Sequence, residues 1–194
     1  MKRDIYLLRH GQTTQPGTFT GVTDVSLSLT GKAQIQRISP LLEKARIEHC
    51  FCSPLARCME TVRLLKLTCG VTVDDTLKEI NFGLWEGLNF DQITQRYPNE
   101  TKLWNEQKEA FFFPGGEQIH QFNGRIHQWF DELLNTGHNR VLVVAHGGVL
   151  REGLKALLGI GRGDAFVLNF AEGAVSRITI REGYPNLECF NCRG

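Results

Sequence analysis

The sequence has 194 residues, of which 41% are hydrophobic and 22% are charged. This length predicts one domain, 1–194, with a single sizeable core. The 22 Lys and Arg residues nearly balance the 21 Asp and Glu residues, so the net charge of +1 gives no indication of nucleic acid or an anionic membrane as a partner. The apolar run VLVVA is too short to span a membrane, and the N-terminal MKRDIYLL lacks the apolar core of a signal peptide. We therefore expect a cytoplasmic protein.

Six cysteines in a chain of this length are too few for a disulfide scaffold, and we expect reduced thiols. Two close pairs, Cys50 with Cys52 and Cys189 with Cys192, together offer four thiolates to a zinc ion. We expect the sulfur atoms of Cys50 and Cys52 to point to opposite faces of a strand, which disfavours shared coordination. We therefore predict buried thiols and no metal site.

The first half of the chain alternates short apolar runs with helical patterns, which predicts strands at 5–8, 49–52 and 71–73 and helices at 30–45 and 55–66. Pro40 removes a helix hydrogen bond and predicts a kink near Gln36 or a division into two shorter helices. Ser53 and Pro54 are typical of a helix N-terminus and predict the start of the second helix. The glycines and aromatic residues of 78–87 predict irregular structure.

An aromatic-rich stretch follows, LWNEQKEAFFFPGGEQ, whose Pro-Gly-Gly predicts a loop. We interpret 88–117 as a lid-like segment over a site. Apolar residues then recur at helical spacing over 119–133 and predict a long helix. RVLVVAHGGVLREGLKALLG predicts a strand buried on both faces, a glycine turn and an amphipathic helix that ends at Gly159.

Three later stretches, AFVLNFA, VSRITIRE and LECF, predict further strands with antiparallel members at one side of the sheet, and RGD at 162–164 predicts a loop. Alternating strands and helices are typical of a parallel sheet. The sequence therefore predicts an α/β fold of three layers, in which a mostly parallel central sheet is flanked by helices.

Two of the predicted buried strands end in a histidine, His10 in DIYLLRHGQTT and His146 in VLVVAHGG. In open α/β sheets ligands bind at the carboxyl edge of the strands, so we expect both imidazoles to face one pocket. Arg9 precedes the first histidine, and SPLAR places Arg57 near the same edge, in the first turn of its helix. A cluster of two arginines and two histidines predicts an anionic ligand, and a dianionic phosphoryl group suits the guanidinium donors.

Four motifs occur in a set order: RHG at 9, SPLxR at 53, E…FGxWEG from 79 and AHGG at 145. Through them the chain resembles the histidine phosphatase superfamily, also called the phosphoglycerate mutase-like family, over roughly 4–180. The resemblance implies the fold of that family and a phosphohistidine intermediate on the nucleophile His10. It also implies that Arg9, Arg57 and His146 hold the phosphoryl oxygens.

The same resemblance makes Glu79 the proton donor to the leaving oxygen. Glu86 is the alternative donor, and its other interpretation is a structural hydrogen bond within the turn. We expect no cofactor and no metal, because the cationic side chains supply the charge that a metal would otherwise provide.

The mutases of this family have long insertions and carry a Glu and then a Trp-Asn after RHG, whereas Gln12 and TQPGT stand here. The resemblance therefore favours hydrolysis. FTG at 19–21 does match the mutases and implies that Thr20 and Gly21 approach the substrate; we also place Gln12 and Gly147 among the substrate-binding residues. The Pro-Gly after RHG, the FGxWEG motif and FPGGE at 113–117 look most like the α-ribazole 5′-phosphate phosphatases of cobalamin biosynthesis.

Four aromatic residues could form an apolar wall for a flat benzimidazole, or could be core residues under the lid: Trp104, Phe111, Phe112 and Phe113. The expected partner is thus a small-molecule phosphomonoester, hydrolysed by a monomer or homodimer. Three alternatives stay open: a phosphoglycerate mutase, a broad-specificity phosphatase and a non-catalytic phosphate-binding module.

Overall fold

The computed structural model describes residues 2–160 and 168–194. Within them six strands form one sheet in the order β3-β2-β4-β1-β5-β6. Their bounds are β1 Lys2–Arg9, β2 His49–Cys52, β3 Gly70–Val73, β4 Arg140–Ala145, β5 Val175–Arg181 and β6 Tyr184–Cys192. The first four pair in parallel, and β5 and β6 add antiparallel strands at one side. The predicted mostly parallel sheet is confirmed.

Helices cover both faces of this sheet, with bounds α1 Leu29–Ala45, α2 Ala56–Leu65, α3 Phe90–Arg96, α4 Pro98–Gln107, α5 Ile119–Leu133 and α6 Gly147–Leu158. Side chains of the central strands alternate between two hydrophobic clusters. Leu7 and Val143 pack in the cluster with α5 and α6, whereas Leu8 and Val144 pack in the cluster with α1 and α2. This alternation gives the three layers that the sequence predicts.

Several local predictions need correction. Of the two alternatives for Pro40, the division into two helices is wrong, because α1 runs unbroken to Ala45, and the kink near Gln36 stays a prediction. Ser53 does not cap α2, whose N-cap is Leu55, because the Ser53 hydroxyl lies beside an imidazole instead. The stretch from 103 to 107 is not a loop but belongs to α4, since the Pro-Gly-Gly that breaks regular structure lies beyond the end of that helix.

The cysteine predictions also need correction. Cys50 and Cys52 both point into the cluster with α1 and α2, because residues two apart on a strand share a face. Cys189 and Cys192, expected as free thiols, form a disulfide, with Cα atoms 6.2 Å apart on β6. Composition could not predict this pair, because it depends on the local path of one strand.

The loop predicted at 162–164 and the first three residues of the strand expected at 165–171 lie outside the described residues. Over 168–171 the backbone forms no strand. Among residues 2–160 and 168–194, no group of three or more His, Cys, Asp or Glu side chains could hold a metal ion. The described helices include none that is both long and apolar enough to cross a membrane.

The packing of α5 on α6 predicts a stability effect at Gly153. A Cβ atom at this position would overlap the ring of Phe130, so we expect Gly153→Ala to lower the free energy of unfolding by about 1–3 kcal/mol. Gly124 on the exposed side of α5 has open space around it, so Gly124→Ala is the matched control. We expect this variant to raise the free energy of unfolding by up to about 1 kcal/mol. Urea unfolding measures both changes, and a Gly153→Ala variant as stable as the wild type would contradict the packing described here.

Candidate active site

Two neighbouring parallel strands bring the predicted histidines together. Arg9 of β1 pairs with Ala145 of β4, and the His10 amide donates to the Ala145 carbonyl at 3.1 Å. The residues that follow, His10 and His146, therefore leave the same edge of the sheet side by side, with ring centroids 5.2 Å apart. Their exposed fractions are 5% and 1%. Both imidazoles thus lie at the carboxyl edge of the sheet, but neither is among the residues that line the cavity next to Arg9 and Glu79, and their contact with a ligand stays a prediction.

The hydrogen bond of His10 determines which ring nitrogen is available. Its Nδ1 lies 2.8 Å from the Gly11 carbonyl oxygen, which only accepts, so Nδ1 carries the proton. Burial, assisted by the positive charges of Arg9 and Arg57, holds the pKa of His10 well below its ordinary value. The ring is therefore neutral, and its Nε2 keeps a lone pair.

His146 is fixed in the opposite tautomer. Its Nδ1 accepts a hydrogen bond from Arg57 Nε at 3.1 Å, so the proton lies on Nε2, which donates to the Ser53 hydroxyl at 2.8 Å. Burial is the main cause of a pKa well below the ordinary value, and the charge of Arg57 adds to it. His146 is therefore a neutral side chain held at both nitrogens.

Arg57 is buried and holds a loop as well as an imidazole. Besides its bond to His146, its guanidinium donates to the carbonyl oxygens of Thr20, Gly21 and Thr23. Four of its five N–H groups are thus engaged by this chain. The structure places Arg57 behind the imidazole of His146, with its donors directed at the protein.

Arg9 lies at the surface of a cavity and retains an unused donor. Its Nη1 donates to the Phe170 carbonyl at 2.7 Å, and Nη2 lies 3.6 Å from Glu172. Its Nε is buried and has no acceptor among the described residues. Gly147 lies beside this guanidinium group, since a Cβ atom at that position would make an ordinary van der Waals contact with its carbon at 3.6 Å. A buried N–H without a partner favours an anion at this place.

The two candidate proton donors have different environments. Glu79 is 8% exposed, borders the cavity and accepts a hydrogen bond from the Gly148 amide at 2.9 Å, at the N-terminus of α6. Glu86 does not border the cavity. Its carboxylate accepts hydrogen bonds from the amides of Gly21, Val22, Thr23 and Phe82 and from the Thr23 hydroxyl. These bonds hold the backbone of two loops together. Glu79 is therefore the carboxyl group that can reach a ligand.

The cavity has a volume of about 650 Å³, within the range of pockets for small organic ligands. Aromatic side chains form much of its wall: Phe19, Phe82, Trp104, Phe113 and Phe122. Of the aromatic residues expected there from the sequence, Trp104 and Phe113 border the cavity, Phe111 is buried in the core and Phe112 is exposed. The segment 88–117 thus lines the cavity in part, and its action as a lid stays a prediction.

The four predicted substrate-binding residues are placed differently. Thr20 and Gly147 border the cavity. The Gln12 side chain instead accepts from the Ser28 hydroxyl at 3.1 Å, and the Gly21 amide donates to Glu86. The contacts of all four residues with substrate remain predictions, and only Thr20 and Gly147 lie at the cavity wall in this structure.

Sequence reasoning missed several polar residues around the site. Ser53, read from the sequence as a helix cap, is the acceptor that fixes His146. Asn123, Glu152 and Lys155 border the cavity but carry no motif. The spacing of Glu152 and Lys155, three residues apart inside an apolar helix, is the one signal that could have identified them.

Comparison with known proteins agrees with this geometry. A family model described as histidine phosphatase superfamily (branch 1) matches residues 5–193. Phosphoserine phosphatase 1 of Hydrogenobacter thermophilus is 27% identical over 80% of this chain and 76% of its own. A protein of Escherichia fergusonii named "Probable phosphoglycerate mutase GpmB" is 27% identical over 92% of this chain and 85% of its own. The crystal structure of the α-ribazole phosphatase from Shigella flexneri is similar with a TM-score of 0.90 and 25% identity, covering 97% of this chain and 96% of that one.

The two buried neutral imidazoles predict a pH dependence of stability. Because folding lowers the pKa of His10 and His146, the unfolded chain binds more protons below about pH 6.5, and stability should fall as the pH drops below that value. We expect a loss of at most about 1.4 kcal/mol per pH unit for each histidine, measured by urea unfolding between about pH 7.5 and about pH 5.5.

In this measurement, His10→Gln should show a smaller slope with pH than the wild type. The exposed His120 provides the control, since His120→Gln makes the same substitution at the surface, and the slope of His10→Gln should be smaller than the slope of this variant. Equal slopes for all three proteins would contradict the neutral state assigned to His10.

Proposed function

Since the chain belongs to the histidine phosphatase superfamily and is an enzyme of that class, a phosphoric monoester hydrolase, we propose that it hydrolyses a small-molecule phosphomonoester through a phosphohistidine on His10. The observation that carries this proposal is the tautomer of His10. A neutral imidazole with its proton on Nδ1 presents the Nε2 lone pair as a nucleophile. The unpartnered Nε of Arg9 supports a phosphoryl group next to it.

The first half of the reaction transfers the phosphoryl group to the enzyme. His10 Nε2 attacks phosphorus in line, the bond between phosphorus and the ester oxygen breaks, and Glu79 gives its proton to the leaving oxygen. The positive charge that develops on the ring is stabilised through Nδ1–H by the Gly11 carbonyl. Arg9 offsets the negative charge of the phosphoryl oxygens.

The second half releases phosphate. Water attacks phosphorus, its proton passes to the Glu79 carboxylate, and the bond between phosphorus and Nε2 breaks, which restores neutral His10. The bond between Nε2 and phosphorus made in the first half is broken in the second, and Glu79 regains from water the proton that it gave to the alcohol, so the cycle consumes only water. We therefore propose that hydrolysis does not require a metal ion.

Within this class we favour α-ribazole 5′-phosphate as the substrate. The aromatic wall suits a flat ring, and a cavity of about 650 Å³ accommodates a nucleoside-sized leaving group better than serine or glycerate. The similarity to the α-ribazole phosphatase of Shigella flexneri supports the same choice. Location in the cytosol and a monomeric or homodimeric state stay predictions.

Phosphate release by the purified protein in EDTA tests the substrate. We expect kcat/KM for α-ribazole 5′-phosphate to exceed that for 3-phosphoglycerate, phosphoserine and other monophosphates by about a hundredfold, or about 2.7 kcal/mol. His10→Ala should abolish turnover of all of them. A flat profile would indicate a broad-specificity phosphatase, isomerisation of phosphoglycerate would indicate a mutase, and loss of activity in EDTA that a divalent ion restores would contradict metal independence.

A comparison of Glu79→Gln with Glu86→Gln tests the proton donor. Removal of the donor should lower kcat about 10²–10⁴-fold for an alkyl ester but much less for p-nitrophenyl phosphate, whose leaving group departs without a proton. Glu86→Gln should affect both esters alike, because that carboxylate holds backbone amides. The opposite pattern for the two variants would assign proton donation to Glu86.

A further inference from the structure

Charged side chains border the cavity beyond the phosphoryl site. Glu152 and Lys155 lie about one turn apart on α6 and are only 3% and 1% exposed, yet both reach the cavity wall. Lys155 Nζ donates to the two carboxylate oxygens of Glu152 at 3.2 Å and 2.9 Å. His127 on α5 holds the same carboxylate, with its Nε2 at 3.1 Å from Oε2.

Stability does not explain this pair. Moving two charges out of water has a cost that their attraction rarely exceeds, and apolar side chains of similar volume are often as stabilising. Most neighbouring buried positions of α6 are in fact apolar, including Val149, Leu150 and Leu154. An ion pair at the wall of a ligand cavity, inside an otherwise apolar helix, therefore points to a polar group of the ligand.

The hydrogen-bonding capacity of this wall is not fully used. An ammonium group has three N–H donors, and Lys155 directs two to Glu152, so one has no partner among the described residues. Asn123 on α5 is 9% exposed, borders the cavity and forms no side-chain hydrogen bond within the described part of the chain. Donors and acceptors thus stand together on one side of the cavity.

We propose that Glu152, Lys155 and Asn123 form a subsite for the hydroxyl groups of the leaving alcohol, an inference that rests on the proposed phosphatase function. Glu152 lies four residues and Lys155 seven residues along α6 from Gly148, about 6 Å and about 10 Å at the helical rise. Since the Gly148 amide binds Glu79, this is the side of the cavity that a sugar attached to the phosphoryl group would occupy.

The chemistry of the pair selects among leaving groups. A hydroxyl group donates and accepts, so it can donate to Glu152 and accept from Lys155 or Asn123. A carboxylate only accepts, so it can meet Lys155 or Asn123 but brings no donor to Glu152. The substrate class is therefore a phosphomonoester whose leaving alcohol carries further groups that donate and accept, such as the hydroxyl groups of a riboside.

The double variant Glu152→Leu with Lys155→Met tests the subsite without leaving one charge buried alone. We expect kcat/KM to fall about 10- to 100-fold for α-ribazole 5′-phosphate and for ribose 5-phosphate. Phenyl phosphate has no hydroxyl group on its leaving group, and its kcat/KM should change less than about threefold. Asn123→Ala should give the same pattern with a loss of about tenfold and no change in charge.

A pair on the outside of α4 provides the matched control. Lys102 and Glu106 are 77% and 57% exposed, and the variant Lys102→Met with Glu106→Leu removes the same two charges away from the cavity. It should match the wild type on all three esters. Equal losses of the cavity variants on all three esters, or no loss on any, would overturn the subsite. Equal activity of wild type and His10→Ala toward phenyl phosphate would instead overturn the proposed function, and the subsite with it.

Discussion

The parallel register between β1 and β4 is the constraint on which the site depends. Side chains on a strand alternate between faces, so a shift of one residue would move His10 relative to His146 and exchange the two clusters of the core. The register is also held beyond the strands themselves, because the His10 amide donates to the Ala145 carbonyl. Core packing and the position of His10, the proposed nucleophile, are therefore fixed by the same hydrogen-bonded ladder.

The loop at residues 20–23 connects this pair of strands to the rest of the site. Its carbonyl groups at Thr20, Gly21 and Thr23 accept from Arg57, while its amides at 21–23 donate to Glu86. Arg57 thus binds the carbonyl groups of this loop and Glu86 binds its amides, so both side chains are paired within the chain without a ligand. Arg9 differs, because its Nε keeps an unmet donor at the cavity. In this structure the Arg57 donors are directed at the protein, whereas Arg9 keeps a donor that the proposed phosphoryl group can meet.

The sequence predicted the parts of this arrangement that depend on local pattern. Apolar periodicity located β1, β4 and α6, and the histidines at two strand ends indicated a common pocket. What it missed depends on contacts between distant segments. The role of Ser53 requires the approach of β4 to the start of α2, and Pro40 is tolerated because α1 packs its buried face on the sheet. No local pattern encodes these contacts.

Different residues of the cavity are proposed to bind the phosphoryl group and the leaving alcohol, so overall sequence identity does not by itself identify the substrate. This chain is 27% identical to a phosphoserine phosphatase and equally so to a protein named for phosphoglycerate mutase activity. In the proposed mechanism phosphoryl transfer uses residues at the strand ends, where the reacting groups must be held in a fixed orientation. The leaving alcohol meets other elements, the inner face of α6 and the aromatic residues around α4. On this proposal substrate preference follows from side chains such as Glu152 and Lys155, which lie on α6 apart from the proposed phosphoryl site.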